Sequence, residues 1–256
     1  MYEQFARFYD ELGWGNFAAS VWDRLGEYLN LIGFRPRNLL DLACGTGILT
    51  IKAAQSGIVA KGLDISEAML QKAESNASRV GANVTYIYAN MSHFCLNEHY
   101  DLITCTFDAI NHLLDYHDWE DTFRCAFAHL NEGGLFIFDM NTERDIKENW
   151  DNINVHKDAK GNYVISKSIS FRDKVIAAVT FTAFVQRGQG LFDGYEETVT
   201  ETSFPVNRVV GSLLDIGFSD VSVRNERFER VSDPEGMNRV FIVCRKTSKD
   251  NIVNAK

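Results

Sequence analysis

Apolar residues in the first 145 positions fall into two alternating kinds of segment. Short, mostly apolar runs at 38–42, 58–63, 84–88, 100–106 and 135–140 read as strands covered on both faces. Between them, 48–56, 67–80 and 118–130 repeat their apolar positions at helical spacing. Ser66 stands where it caps the second of these helices and Gly81 where it ends it. Asp118 is expected to cap the third, with Glu120 and Asp121 in the first turn where the helix dipole favours them. Two helices are predicted ahead of the first strand: residues 2 to about 12 (Tyr2, Phe5, Phe8, Tyr9, Leu12) and Ala19 to Ile32, ending near Gly33 and Pro36. Strand–helix alternation of this kind implies right-handed crossovers and a doubly wound sheet.

The pattern changes after Trp150. Residues 163–171, 175–186 and 191–204 read as three strands joined by the polar turns Arg172-Asp173-Lys174 and Gly188-Gln189-Gly190. No helix separates them, so an antiparallel arrangement is expected. Helical spacing resumes from Pro205 to Ile216, Gly217 ends it, and strands 218–225 and 237–245 complete the sheet. The predicted class is α/β: a mostly parallel seven-stranded sheet with a small antiparallel β insertion. Residues 1–150 form the leading helices and core, 151–204 the inserted lobe over the binding crevice, 205–246 the rest of the sheet, and 247–256 a flexible tail.

Bulk composition narrows the function. A formal net charge of −9 and no Lys/Arg run argue against a nucleic-acid surface and lean slightly towards a neutral or cationic substrate. The five cysteines (44, 95, 105, 125, 244) form no C-x-x-C and no zinc spacing, which fits a reducing cytoplasm and no metal. Glu3, Asp10 and Glu11 among the N-terminal aromatics do not fit a signal peptide, and no apolar run reaches membrane-spanning length.

The segment Leu39-Leu40-Asp41-Leu42-Ala43-Cys44-Gly45-Thr46-Gly47-Ile48 is the centre of the chemistry. It reads as a buried strand, a tight glycine turn and the first residue of a helix whose N–H groups face a bound molecule. Asp64 follows Gly47 by 17 residues, at the end of the next apolar run. A carboxylate there can accept from both hydroxyls of a ribose. A dinucleotide fingerprint needs a third glycine where Thr50 stands, and no P-loop G-x-x-x-x-G-K-[ST] occurs.

Leu40 to Gly47 resembles the first motif of class I S-adenosylmethionine-dependent methyltransferases, with Ala43 in place of the usual first glycine. Leu63-Asp64-Ile65-Ser66-Glu67-Ala68-Met69-Leu70 resembles their second motif. The resemblance covers residues 1 to 145 and resumes more weakly from 205 to 245. It implies S-adenosylmethionine as cofactor. Asp64 would hold the ribose. Asp41 would brace the glycine turn and the amino-acid end, and the Ala43, Cys44 and Gly45 backbone would meet the methionine part. Asn90 would accept from the adenine amino group, where an Asp is frequent, and Met91 would offer its N–H to a ring nitrogen. Ile65 and Met69 are placed either on the adenine faces or in the plain core. Phe107 and Asp108 follow the fourth strand, at the mouth where the methyl group would lie.

His112 resembles a histidine found there in some aminosugar N-methyltransferases, either as a base or as a structural residue. Phe5 to Asp10 resembles the start of those enzymes, with Tyr9 at a methyl-donor pocket. Trp22 is placed either closing that pocket or in the core. The lobe strand Tyr195, Glu196, Glu197, Thr198, Val199 and Glu201 alternates, so one face can look into the crevice. Relatives place a His and an Arg along this strand, where Val199 and Thr202 stand here. The expected activity is methyl transfer to a small-molecule acceptor, an amine nitrogen first, by a monomer or homodimer without nucleic acid or membrane. The alternatives are an NAD(P)-dependent oxidoreductase, disfavoured by Thr50 and the lack of a recognisable hydride-site pair, and a catalytically silent S-adenosylmethionine-binding subunit.

Overall fold

Leucine and aromatic residues of the strands point alternately to two opposed cores. The computed structural model describes residues 2–3, 5–10, 13–158, 161–188 and 190–247. Strands β1 (Asn38–Leu42), β2 (Val59–Asp64), β3 (Thr85–Tyr88), β4 (Tyr100–Cys105), β5 (Leu130–Asn141), β10 (Phe218–Arg224) and β11 (Arg239–Lys246) form one sheet of order β10-β11-β5-β4-β1-β2-β3. All neighbours are parallel except β11, which runs antiparallel to both β5 and β10. On one face Leu40, Ile103, Phe136 and Phe138 pack under α5 (Tyr116–His129) and α7 (Val206–Ile216). On the other, Leu39, Leu102, Ile137 and Phe241 meet Val21, Leu25 and Leu29 of α2 (Gly15–Leu31), with α3 (Ile48–Gln55) beside them. Each such fully buried side chain contributes about 1.5–3 kcal/mol.

The chain winds one way from β1 to β3 and the other way through β4 and β5. The carboxyl ends of β1 and β4 therefore open a crevice at the reversal, the usual ligand position in such sheets. Over it lies a second, antiparallel sheet of β6 (Asn152–Lys157), β7 (Tyr163–Phe171), β8 (Ile176–Gly188) and β9 (Leu191–Thr202).

Helix α4 (Glu67–Val80) has the expected limits, with the Ser66 hydroxyl accepting the Met69 N–H and Gly81 left-handed. Other limits differ from the sequence expectation. The first helix, α1, spans only Ala6–Tyr9, and Leu12 lies outside the described residues. Helix α2 starts at Gly15 rather than Ala19. Helix α5 is capped by Asp115, not Asp118: the Asp115 carboxylate accepts the His117 N–H at 2.9 Å, and the earlier start buries Tyr116 together with Trp119. Strand β5 begins at Leu130, paired with Tyr100 across a register shift. The lobe has four strands rather than three. A short helix, α6 (Glu143–Glu148), precedes it, with the Thr142 hydroxyl accepting the Asp145 N–H. Gln189 and residues 248–256, which include most of the expected tail, lie outside the described residues. No helix among the described residues is long and apolar enough to cross a membrane.

Candidate active site

The turn after β1 is held by the second strand. Cys44 N–H donates to the Leu63 carbonyl at 3.0 Å. Gly45 N–H donates to Asp64 Oδ2 at 2.8 Å, while Asp64 Oδ1 accepts the Ser66 N–H at 2.9 Å. One carboxylate thus ties the glycine turn to the start of α4. Burial pushes the Asp64 carboxyl up, against these backbone donors. Gly47 is the left-handed N-cap of α3 (φ 76°), and a Cβ there would stand against the Tyr86 hydroxyl and 3.0 Å from the Ala73 Cβ. Ala43, at the position of the family's usual first glycine, is itself left-handed at φ 52°. A non-glycine residue held so is strained, and such strain collects where a site fixes its backbone.

Asp41 sits below the turn. Its carboxylate accepts from the Thr50 hydroxyl at 2.9 Å and the Thr104 hydroxyl at 2.7 Å, which joins β1 to α3 and β4. Burial raises its pKa to about 7. From above, Asp10 accepts from the Thr46 hydroxyl at 2.7 Å and from Asn76 at 2.8 Å, so the N-terminal segment is fastened to the same turn.

These elements wall a cavity of about 480 Å³. Tyr9, Asp41, Ala43, Cys44, Gly45, Asp64, Ile65, Met69, Asn90, Met91, Phe107, Asp108 and His112 all line it. Of the residues expected at the cofactor, two stand elsewhere. Gly47 lies behind the lining, at the helix start. Trp22 is buried in the core with Val21 and Leu25 instead of closing the pocket. Ile65 keeps 51% of its surface exposed inside this space, an apolar face suited to a flat ring. Asn90 differs from expectation in its polarity. Its Oδ1 already accepts from both the Ser92 N–H and the Ser92 hydroxyl, each at 3.0 Å, so the amide NH₂, a donor, is the group left for a ligand.

The mouth of the crevice is built from a buried polar network. Phe107 and Asp108 are both left-handed (φ 64° and 49°), held because Asp139 accepts their N–H groups at 2.6 and 3.1 Å. The Arg239 guanidinium bonds to Asp139 and reaches Asp108 Oδ1 at 3.1 Å. A single amide nitrogen, Asn141 Nδ2, donates to Asp108 Oδ2 at 2.8 Å and to Glu201 Oε2 at 3.0 Å. This joins the core sheet to strand β9 of the lobe. His112 Nδ1 donates to the Thr200 carbonyl at 3.2 Å, a partner that assigns the proton to Nδ1 and leaves a lone pair on Nε2. Nε2 lies 4.0 Å from Glu201 Oε1. Burial lowers the His112 pKa, which keeps the ring neutral at pH 7.

Several lining residues had no sequence signal, or one that was passed over. Tyr2, Trp14 and Phe181 form an aromatic wall, with Trp14 and Phe181 centroids 4.8 Å apart and Tyr2 and His112 at 5.8 Å. Asn152, Asn154, Ser166 and Ser168 come from the lobe. Val199 lines the cavity, whereas the Thr202 hydroxyl donates to the Val175 carbonyl. Asp139 ends an apolar run just as Asp64 does, a readable signal. Four carboxyl groups (Asp41, Asp64, Asp108, Glu201) line the space, and among the described lining residues none is Lys or Arg. The chain does hold one Tyr-x-x-x-Lys spacing, Tyr163 to Lys167. It lies on strand β7, where four residues span about 13 Å, so those side chains do not converge as a hydride site.

The cofactor expected from the motifs fits these features. The Asp64 carboxylate, the tight glycine turn, the apolar slot at Ile65 and Met69 and a described lining without Lys or Arg suit a ribose, a nucleobase and a ligand bearing positive charge. Residues 39–134 match the family model described as a methyltransferase domain. A protein of Geobacillus sp. (strain WCH70), provisionally named a methyltransferase, is 26% identical over 254 residues, covering 96% of this chain and 99% of its own length. Among solved structures, an S-adenosylmethionine-dependent methyltransferase from Clostridium acetobutylicum superposes with a TM-score of 0.82 at 23% identity, covering 96% of this chain and 99% of its own. A sugar N-methyltransferase from Streptoalloteichus sp. gives 0.70 at 21%, covering 97% and 93%. At these identities the two structures attest the shared fold.

Proposed function

Given that the chain is a class I S-adenosylmethionine-dependent methyltransferase, we propose that it methylates a small-molecule acceptor and that the receiving atom is an amine nitrogen. The observation that favours this reading is the make-up of the cavity wall: four carboxyl groups and no described Lys or Arg. Such a wall can pair with a cation and, among its described residues, offers no basic side chain to a carboxylate or phosphate acceptor. The proposed division of labour follows the chain. Residues 1–150 hold the cofactor, 151–204 face the acceptor, and 205–246 complete the sheet.

When bound, S-adenosylmethionine supplies a methyl group on a positively charged sulfur, open to in-line displacement by a lone pair. The protein's part is placement. Asp64, which fixes the Gly45 turn, would accept from the ribose. Ile65 and Met69 would pack against the base, and the Asn90 amide would donate to it. Asp41 steadies the turn through Thr50 and Thr104. Tyr9, Trp14 and Phe181 exclude water above the reacting atoms. Orientation and avoided solvent reorganisation lower a barrier by roughly 7–11 kcal/mol. A general base adds typically about 10²–10⁴-fold. His112 Nε2 is available for that smaller part.

The test is transfer of label from methyl-labelled cofactor into pools of small amines, hydroxyl compounds and carboxylic acids. Label in the amine pool supports the proposal. Label confined to hydroxyl compounds or acids refutes the nitrogen assignment while leaving methyl transfer intact. No transfer to any pool, with cofactor binding retained, favours the silent cofactor-binding subunit.

A further inference from the structure

One carboxyl group at the mouth has no part in holding the cofactor. Glu201 projects from β9 of the lobe into the cavity and is 4% exposed. Its Oε2 accepts from Asn141 Nδ2, and its Oε1 is 4.0 Å from His112 Nε2, beyond hydrogen-bond distance. Asn141 Nδ2 also bonds Asp108 at 2.8 Å. Two carboxyl oxygens therefore share one amide nitrogen in a dry site. Among the described residues the guanidinium of this network is Arg239, engaged by Asp108 and Asp139. No described Lys or Arg side chain lies within ion-pair distance of Glu201. Tyr2 and Tyr9, with ring centroids 5.7 Å apart, are its aromatic neighbours; Trp14 packs 5.2 Å from Tyr9, and Phe181 6.5 Å from Tyr2. Ring faces beside a carboxylate are the chemistry that holds an alkylammonium.

We propose that Glu201 is the residue that receives the acceptor nitrogen, binding it as an ammonium beside Tyr2 and Tyr9, and that His112 Nε2 then takes one N–H proton, which frees the lone pair that attacks the methyl group. The assignment rests on the methyl-transfer reading above and adds the residue that selects the acceptor. It also makes capture proton-linked. The groups facing Glu201 are Asp108 and His112 after β4, Asp139 and Asn141 of β5, Arg239 of β11, and Tyr2 and Tyr9 of the N-terminal segment. Burial and the neighbouring Asp108 push the Glu201 carboxyl well up, which favours a proton on it before a cation enters. An entering cation replaces that proton: the O–H bond of Glu201 breaks, the proton goes to solvent, and the carboxylate pairs with the cation.

The test uses S-adenosylhomocysteine-saturated protein titrated with tetramethylammonium, which has no proton of its own, and with tert-butanol, its neutral counterpart in size. Calorimetry in two buffers of different ionisation enthalpy counts released protons. The expected result is binding of tetramethylammonium at least tenfold tighter than tert-butanol, with release of close to one proton at pH 7. Glu201→Gln should abolish the release and weaken the cation tenfold or more. Glu201→Asp should restore a measurable part of both, and neither change should alter S-adenosylhomocysteine affinity. Equal binding of the two probes, or unchanged tetramethylammonium binding in Glu201→Gln, would overturn the assignment. Loss of S-adenosylhomocysteine binding by the unsubstituted protein would instead refute the cofactor reading.

Discussion

Replacing Asp64 by Ala separates what its carboxylate does for the fold from what it does for the cofactor. The group accepts from Gly45 N–H at 2.8 Å and from Ser66 N–H at 2.9 Å and is 8% exposed. Each hydrogen bond to a charged group is worth about 1.5–3 kcal/mol. Two such bonds are lost in the fold, offset in part by relief of a buried charge, so the melting temperature should fall by only a few degrees. In the complex, the ribose would lose its acceptor, and the Gly45 turn beside it would no longer be pinned. We expect cofactor affinity to drop about 100-fold, close to 3 kcal/mol. Asp64→Asn keeps one acceptor oxygen and should lose about tenfold. The assay is calorimetric titration with S-adenosylhomocysteine well below the melting temperature, with circular dichroism to confirm the fold. An unchanged dissociation constant in folded Asp64→Ala would refute the assignment of the ribose to this residue.

Three further outcomes follow from the geometry. His112→Ala should slow turnover about tenfold without weakening cofactor binding, because placement outweighs base assistance; complete loss of turnover with cofactor binding retained would show that proton removal dominates. Asp41 has its pKa raised to about 7 in the fold from 3.8. The folded state therefore binds the extra proton between these values, and its contribution to stability is full below about pH 4 and lost as pH rises to about 7. Asp41→Asn should remove that slope, on the order of a few kcal/mol across the window, when melting curves of the two proteins are compared from pH 4 to 8; parallel curves would contradict it. Ala43→Gly relieves a left-handed alanine (φ 52°) at the cost of glycine's extra chain entropy, a net gain of about 0.5–1 kcal/mol by denaturant titration. A loss of stability would show that Ala43 is held there without strain.

The cofactor half of the site was legible because its information is local. Strand, turn and helix are contiguous from Asn38 to Gln55, and Ser66 and Gly81 punctuate α4 at its observed ends. Helix α5 was misplaced by one turn because Asp115 and Asp118 are both plausible caps. Only the burial of Tyr116 against Phe204 and Arg208 decides between them. Strand β6 was missed because its pattern is inverted. Asn152 and Asn154 face the cavity while Ile153 and Val155 face solvent at 65% exposure each. The acceptor half was legible only in outline: the lobe, His112 and the strand bearing Val199 and Glu201 were readable as facing the crevice, but the polar network between them was not. Arg239 meets Asp108 across 131 residues and Asn141 meets Glu201 across 60, so no local spacing could announce them. The Asn90 amide presents a donor where an acceptor was expected, because Ser92, two positions on, donates twice to its oxygen.

The central claim is that an adenosine-bearing sulfur compound lies across the Gly45 turn with its ribose on Asp64. Thermal-shift titration with S-adenosylhomocysteine beside NAD tests it most directly. The account predicts that S-adenosylhomocysteine raises the melting temperature in a saturable manner and that NAD leaves it unchanged. Stabilisation by NAD, or by neither compound, would contradict it.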